Sequence, residues 1–270
     1  MHHHPLVSVV IPMYQSEATI QRALTSVVRQ TYRPMEVILV NDGSTDASVS
    51  QAESYMASHQ EEQLSFQLLD QANGGASKAR NTAMRQASGR YIALLDADDE
   101  WVPDKIAQQI AILEAQPSID FLGTTRNGER WTRWFFKKFD RLTDISARLL
   151  LYKTFFATPT VIFKRSVLST VGYFDEQQYH SEDANYWIRI CKDHHCVLLN
   201  ESLVLTGGGK PHIGHSGLSS DIRAMAAGEI KNMALGYRLG IVGRLEYLLL
   251  LFYCKMKYFR RILVVKSRKK

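Results

Sequence analysis

Apolar and polar positions follow two alternating periods along residues 7–115. Residues 7–11 (VSVVI), 36–40 (EVILV), 66–69 and 91–95 (YIALL) are short apolar runs rich in branched side chains, the pattern of strands buried on both faces. Helical spacing separates them. Ser16 stands where it can cap a helix over 17–29, with Ile20, Ala23, Leu24, Val27 and Val28 as its apolar stripe. Helices are also predicted over 46–58, over 76–87 after the Gly74-Gly75 break, and from Pro103 to about residue 115. The strand–helix alternation predicts an α/β fold with a mostly parallel sheet and helices on both faces. Ligands of such sheets bind beyond the carboxyl ends of the strands. The polar clusters 14–17, 41–46 and 96–99 all follow strand ends.

The second half is less periodic. Strands are expected near 121–123 and 160–163, a helix over 182–193, a glycine-rich loop over 206–217 (TGGGKPHIGHSG) and a helix over about 219–239. No internal repeat and no long linker divides the chain. The expected organisation is one catalytic domain, 1–218, followed by a helical extension, 219–270.

Three carboxylates, Asp96, Asp98 and Asp99, fall within four residues at a strand end, where they repel one another unless a positive charge sits among them. Mg²⁺ or Mn²⁺ suits such oxygen donors and completes its shell with phosphate oxygens and water. An extended segment would point Asp96 and Asp98 the same way, one toward a ribose hydroxyl and the other toward a metal. The plainer alternative is a solvated turn with Asp99 capping the next helix.

Several motifs together resemble the family-2 glycosyltransferases of GT-A fold, Rossmann-like in their sheet. They are Val9-Val10-Ile11-Pro12-Met13-Tyr14, Ser26 with Gln30, Val40-Asn41-Asp42-Gly43-Ser44-Thr45-Asp46, Asn73-Gly74-Gly75, Ala79-Arg80-Asn81, Asp96-Ala97-Asp98-Asp99, Gly172-Tyr173-Phe174-Asp175-Glu176 and Ser181-Glu182-Asp183. The resemblance spans about residues 6–205. It implies that Pro12, Tyr14 and Glu17 border the nucleoside and that Asp42 hydrogen-bonds the base, most often uracil. It also implies Arg80 and Lys78 near the base or diphosphate, Asp96 at the ribose or the metal shell, Asp98 on the metal and Asp183 as general base. Gln15 and Asn41 depart from many relatives, which carry Asn and Asp there. The activity implied is inverting transfer of a hexose or N-acetylhexosamine from a UDP-sugar to a glycan, on a lipid-linked polysaccharide or lipopolysaccharide precursor.

Two other readings stay open. A nucleotidyltransferase usually carries a glycine-rich basic loop after its first strand, but this chain has Pro12-Met13-Tyr14-Gln15-Ser16-Glu17. A non-catalytic nucleotide-binding protein would not need Asp96, Asp98 and Asp183 together. His212 and His215 in the glycine-rich loop are further metal candidates, and Lys210 could face a diphosphate. His2, His3 and His4 look like a tag remnant and are set aside.

Charge changes the picture at one end. The formal net charge is +6, but residues 255–270 hold eight Lys or Arg and no acid, leaving 25 basic against 27 acidic residues elsewhere. The body therefore has no nucleic-acid-binding signature. The tail has helical spacing, with Phe252, Met256, Phe259 and Leu263 on one face and Lys257, Arg260 and Arg261 on another, the pattern of an element lying on an anionic membrane surface. The competing reading has those apolar residues packed on the catalytic domain. Residues 126–141 mix six Lys or Arg with Trp131, Trp134, Phe135, Phe136 and Phe139, which suits either a lipid-linked acceptor or ordinary core packing. Three cysteines without CxxC spacing, no spanning run and no signal-peptide pattern predict a cytoplasmic protein, peripheral on the inner membrane face.

Overall fold

The computed structural model describes residues 4–209 and 221–268. In chain order the elements are β1 (Val7–Met13), α1 (Ile20–Val28), β2 (Met35–Asn41), α2 (Ser48–Ser58), β3 (Leu64–Asp70), α3 (Ala76–Gln86), β4 (Tyr91–Leu94), β5 (Glu100–Trp101), α4 (Lys105–Ala115) and β6 (Phe121–Thr125). They continue as β7 (Arg133–Trp134), β8 (Lys137–Lys138), β9 (Leu142–Asp144), α5 (Ala147–Tyr152), β10 (Ile162–Lys164), α6 (Val167–Val171), α7 (Glu182–Asp193), β11 (Cys196–Ser202), β12 (Val204–Leu205), α8 (Ile222–Arg238) and α9 (Arg244–Arg268).

The main sheet has the order β3-β2-β1-β4-β10-β6-β11-β9. Its centre is buried on both sides, so alternate residues of one strand enter different cores. Val10, Ile38, Ile92 and Leu94 pack under α3, α5, α7, α8 and α9, while Val9, Ile11, Val37 and Ala93 pack under α1, α2 and α4. Double-sided burial is why these strands read as nearly unbroken apolar runs.

β10 runs antiparallel to both β4 and β6. Hydrophobic spacing predicts this strand but carries no information about its direction. The reversal has a consequence. The segment entering β10, including Phe155–Thr160, arrives at the edge where β4 and β6 end, and its residues line the cleft there.

Two local expectations give way. The first helix begins at Ile20, with no side-chain cap. Ser16 donates its hydroxyl to the Tyr14 carbonyl instead, while its N–H and that of Glu17 bond to Ser48 Oγ and Asp46 Oδ2. Asp99 does not cap α4: it accepts the Gly207 N–H at 2.8 Å. Gln30 takes the capping role, accepting from Ile106 N at 3.0 Å and donating to the carbonyls of Ser26 and Val102. The Ser26–Gln30 pair thus ties α1 to the chain leaving the acidic cluster.

α8, α9 and the turn between them contribute Met233, Leu235, Val242, Leu250 and Cys254 to the core that also holds Phe121 and Trp187. α8 approaches so closely that a Cβ on Gly228 would lie 2.2 Å from the His180 carbonyl oxygen. Small volume at that one position brings the C-terminal helices against the Ser181-Glu182-Asp183 turn.

Candidate active site

A cleft of about 1100 Å³ opens at the carboxyl edge of the sheet. That volume accommodates a nucleotide sugar together with part of an acceptor. Pro12, Tyr14, Asp42, Arg80, Asp96, Asp98 and Asp183 all line it. Glu17 and Lys78 do not. Glu17 accepts the Ala47 N–H at 3.0 Å, closing the loop behind β2, and the Lys78 chain lies against Gly74. His212 and His215, with Lys210, lie outside the described residues.

Asp42 is buried and holds the wall beside it. Its Oδ1 accepts from Gln71 Nε2 (2.7 Å) and Gly74 N (2.9 Å), and its Oδ2 accepts from Gly75 N (2.8 Å). An ionised carboxylate offers about four acceptor positions, so one remains for a base N–H. Gly75 adopts φ +88, a conformation that favours glycine, and this turns both N–H groups toward Asp42. Asn41 is engaged on both sides, donating to Asp70 Oδ1 at 2.8 Å and accepting from Ser44 N at 2.9 Å. An aspartate there could not donate to Asp70, which gives this departure from the usual pattern a local cause. Gln15 likewise binds Thr45 and Asp46 through its side-chain oxygen.

The acidic cluster is a turn rather than an extended segment, closed by Asp99 N donating to the Asp96 carbonyl at 3.1 Å. Asp96 and Asp98 therefore do not share a direction as strand neighbours would. Asp96 Oδ1 accepts from Arg80 Nη2 at 2.7 Å, whereas Asp98 is exposed in the cleft. Arg22, which no motif flagged, donates to the Asp98 carbonyl and pairs with Glu100 at 2.8 Å. Burial, followed by the charges of Asp96 and Asp98, pushes the Asp99 carboxyl up to about 8, against opposing pulls from the Gly207 N–H and Arg126.

Arg80 bridges two motifs far apart in sequence. Its buried guanidinium also reaches Glu182 Oε1 at 3.1 Å. Burial works against its charge, but Asp96 and Glu182 outweigh it and hold the group charged. Next along α3, Asn81 exchanges hydrogen bonds with the Phe174 backbone and donates to Glu176 Oε1. The Ala79-Arg80-Asn81 and Gly172-to-Glu176 motifs are thus two halves of one contact. Arg80→Met should leave buried Glu182 and half-buried Asp96 without their cation, a loss on the order of 3 kcal/mol. A fall in melting temperature of about 10 °C at neutral pH is expected. An unchanged melting curve would mean that solvent replaces the guanidinium.

Asp183 lies in the first turn of α7, two residues after Ser181, which adopts φ +54. Burial is the main influence on its carboxyl, followed by the Glu182 charge; these and Asp96 outweigh Ala184 N–H and Arg80 and raise it to about 7. A carboxylate poised there can accept a proton at neutral pH.

Similarity to known proteins agrees with this geometry. Residues 8–172 match the model of the family "Glycosyl transferase family 2". The chain belongs to glycosyl transferase family 2. It is 30% identical over 221 residues, 80% of each chain, to the Escherichia coli UDP-Glc:alpha-D-GlcNAc-diphosphoundecaprenol beta-1,3-glucosyltransferase WfgD. It is also 40% identical over 119 residues to the uncharacterized Bacillus subtilis glycosyltransferase EpsJ, covering 44% of this chain and 33% of EpsJ. Among solved structures, S. aureus TarS 1-349 with UDP-GlcNAc superposes with TM-score 0.66 at 20% identity, covering 94% of this chain and 72% of TarS. The Pyrobaculum calidifontis mannosyltransferase PcManGT, with GDP-Man and Mn2+, gives TM-score 0.68 at 19% identity, covering 94% and 74%. The GT-A fold expected from the motifs is therefore the fold observed, and this family 2 member is a glycosyltransferase.

The donor set fits a divalent metal of the Mg²⁺ or Mn²⁺ kind. Three carboxylates crowd one turn, one of them pushed up to about 8, and their oxygens are hard donors. Among the described residues no three His, Cys, Asp or Glu side chains converge as a closed cage. Mg²⁺ and Mn²⁺ are ordinarily held by one or two carboxylates together with a substrate's phosphates.

Motifs do not reveal the far wall. Trp131, Lys153, Glu229 and Arg261 line it, from the loop after β6, the end of α5, α8 and α9. Trp131 stood within the aromatic-basic segment, which divides: Trp131, Trp134 and Phe139 pack on the core, while Phe135 and Phe136 are exposed. Glu229 and Arg261 belong to no motif.

Proposed function

We propose that the chain transfers a hexose or N-acetylhexosamine from a UDP-sugar, with inversion, to a glycan acceptor carried on a lipid at the inner membrane surface. The observation that carries this reading is the shared cleft of Asp183 and the Asp96–Asp98 turn, cross-tied by the buried Arg80. In it, Asp42 and Tyr14 take the nucleoside, and Asp96 and Arg80 fix the wall beside the diphosphate. Asp98 would hold Mn²⁺ or Mg²⁺ together with diphosphate oxygens, and the cation would neutralise charge on the departing UDP. Asp183 removes the proton of the acceptor hydroxyl as its oxygen bonds to the anomeric carbon. The bond to the diphosphate breaks on the opposite face, and one base placed this way implies inversion.

Thermal shift against a panel of nucleotides and nucleotide sugars, with and without Mn²⁺, tests the donor. UDP at 100 times its dissociation constant should stabilise the fold by about 2.7 kcal/mol. Stabilisation by a different nucleotide alone would overturn the UDP assignment.

The membrane part rests on α9. Leu245, Leu249, Phe252, Met256, Phe259 and Leu263 are 53–74% exposed. At 100° per residue they form one stripe opposite buried Leu250 and Cys254, roughly 27 Å long. Lys255 and Arg260, both exposed, flank it. Lys257 and Arg261 turn inward to Glu229. Among the described residues no helix is long and apolar enough to cross a membrane. Such a stripe suits one lying in the interface. Replacing Phe252, Phe259 and Leu263 with Ser should abolish flotation with anionic vesicles. The melting temperature should hold, since exposed changes usually move stability by no more than about 0.5 kcal/mol each. Unchanged flotation would remove α9 from the membrane contact.

A further inference from the structure

The cleft carries charge of both signs. Its sheet edge carries Asp96, Asp98, Asp99, Glu182 and Asp183 around Arg80. Lys153 just after α5 and Arg261 on α9 line the cleft from the helices, and Arg126, just after β6, stands at the sheet edge, its charge reaching both Asp99 and Lys153. Two acids stand among these cations. Glu229 is held at 2.6 Å by Arg261 Nη2 and at 3.1 Å by Lys257 Nζ, and Glu129 shares the wall. Arg126, Lys153, Lys257 and Arg261 against Glu129 and Glu229 leave two positive charges over. Among the described residues neither Arg126 nor Lys153 belongs to an ion pair, and Lys153 Nζ lies 4.8 Å from the centre of the Trp131 ring. A group of cations with that surplus suits an anion.

We propose that Arg126, Lys153 and Arg261 form a cradle for the diphosphate of a polyprenyl-diphosphate-linked acceptor, with Trp131 beside the acceptor sugar. The proposal rests on the reading of the chain as a transferase acting on a lipid-linked glycan. The lipid follows from α9 itself. The helix that sends Arg261 into the cleft shows its apolar stripe on the opposite side, so an interface-bound α9 brings the cradle to the depth of lipid headgroups. Charge also fits, since a sugar diphosphate diester carries two negative charges. Burial presses the Lys153 ammonium below its ordinary value, Glu129 opposes this, and Lys257 and Arg126 add to it. A bound diphosphate would relieve that strain among like charges.

The test uses the full chain with its donor subsite saturated by UDP and Mn²⁺, so that a second anion cannot enter there. Farnesyl diphosphate is the probe, titrated calorimetrically, with farnesol and inorganic polyphosphate as comparisons. The parent should bind farnesyl diphosphate. Lys153→Met and Arg126→Gln should each weaken it about tenfold, with UDP affinity and farnesol binding unchanged. Equal farnesyl diphosphate affinity in parent and both variants would overturn the cradle. Loss of UDP affinity in the variants would also overturn it, assigning these cations to the donor. Polyphosphate binding as tightly as farnesyl diphosphate would overturn the lipid assignment in favour of a soluble phosphate polymer. Should Lys153→Met lower the melting temperature, Arg126→Gln, at a loop position, decides alone. A parent that binds no UDP overturns the donor reading instead, a result distinct from all of these.

Discussion

Asp183→Asn is expected to lower transfer by at least about 10²-fold while UDP binds as in the parent. The amide keeps the size of the carboxylate and its place at the start of α7, but it cannot take a proton. Because the carboxyl is raised to about 7, mainly by burial, the parent's rate should climb with pH through about 7 and level off above it. The same shift predicts an opposite effect on stability. A carboxyl whose folded value lies above its unfolded one favours the folded state only while protonated. Its ionisation therefore costs nothing near pH 4, costs progressively more through pH 4–7, and costs its full amount above. The Asn variant should melt higher than the parent at pH 8 and alike at pH 4, a gain of about 2–4 °C for each kcal/mol of relieved cost. Lost activity with gained stability is the signature of a group held for chemistry. Transfer near the parental rate would make Asp183 a helix-start acid and place the base elsewhere.

Much of the fold is legible in the sequence because the central strands are buried on both faces. Val7–Met13 and Met35–Asn41 cannot be confused with amphipathic helices, and the polar clusters that follow them mark the cleft edge. What was not legible depends on tertiary contact. The direction of β10 leaves no periodic trace, yet it carries Phe155–Thr160 into the cleft. The turn at Asp96–Asp99 stands where an extended segment was expected, closed by a backbone hydrogen bond and with Asp96 held by Arg80, which also holds Glu182. Glu17 and Lys78 stand beside motif residues in sequence, but their side chains serve the loops at Ala47 and Gly74. Glu229 and Arg261 reach the cleft only because Gly228 lets α8 approach the His180 carbonyl. Even the tail's basic face divides in a way that helical spacing alone does not foretell: Lys257 and Arg261 go to Glu229, Lys255 and Arg260 to the apolar edge.

Asp98→Asn should abolish most of the Mn²⁺-dependent gain in UDP affinity and, with it, detectable transfer, while the fold survives. Asp98 is exposed, so the substitution buries no new group and leaves no cavity. Its backbone carbonyl still receives Arg22 Nη2, which keeps the turn in place. The loss is therefore one of charge in the cleft. Asp96 replaces only part of the lost charge, because it already answers Arg80, which holds its Oδ1 at 2.7 Å. Asp99 is turned away from that role: it is buried and accepts the Gly207 N–H. Without Asp98 a divalent ion would lose one of its carboxylate contacts, and bridging of protein and diphosphate would weaken. Uridine binding, which we assign to Asp42 and Tyr14, should be untouched, and that separates metal loss from collapse of the nucleoside wall. Calorimetric titration of UDP and of uridine, each with Mn²⁺ and with a chelator, reads both effects. Mn²⁺-dependent UDP binding equal in variant and parent would show that the metal is held elsewhere in the cleft.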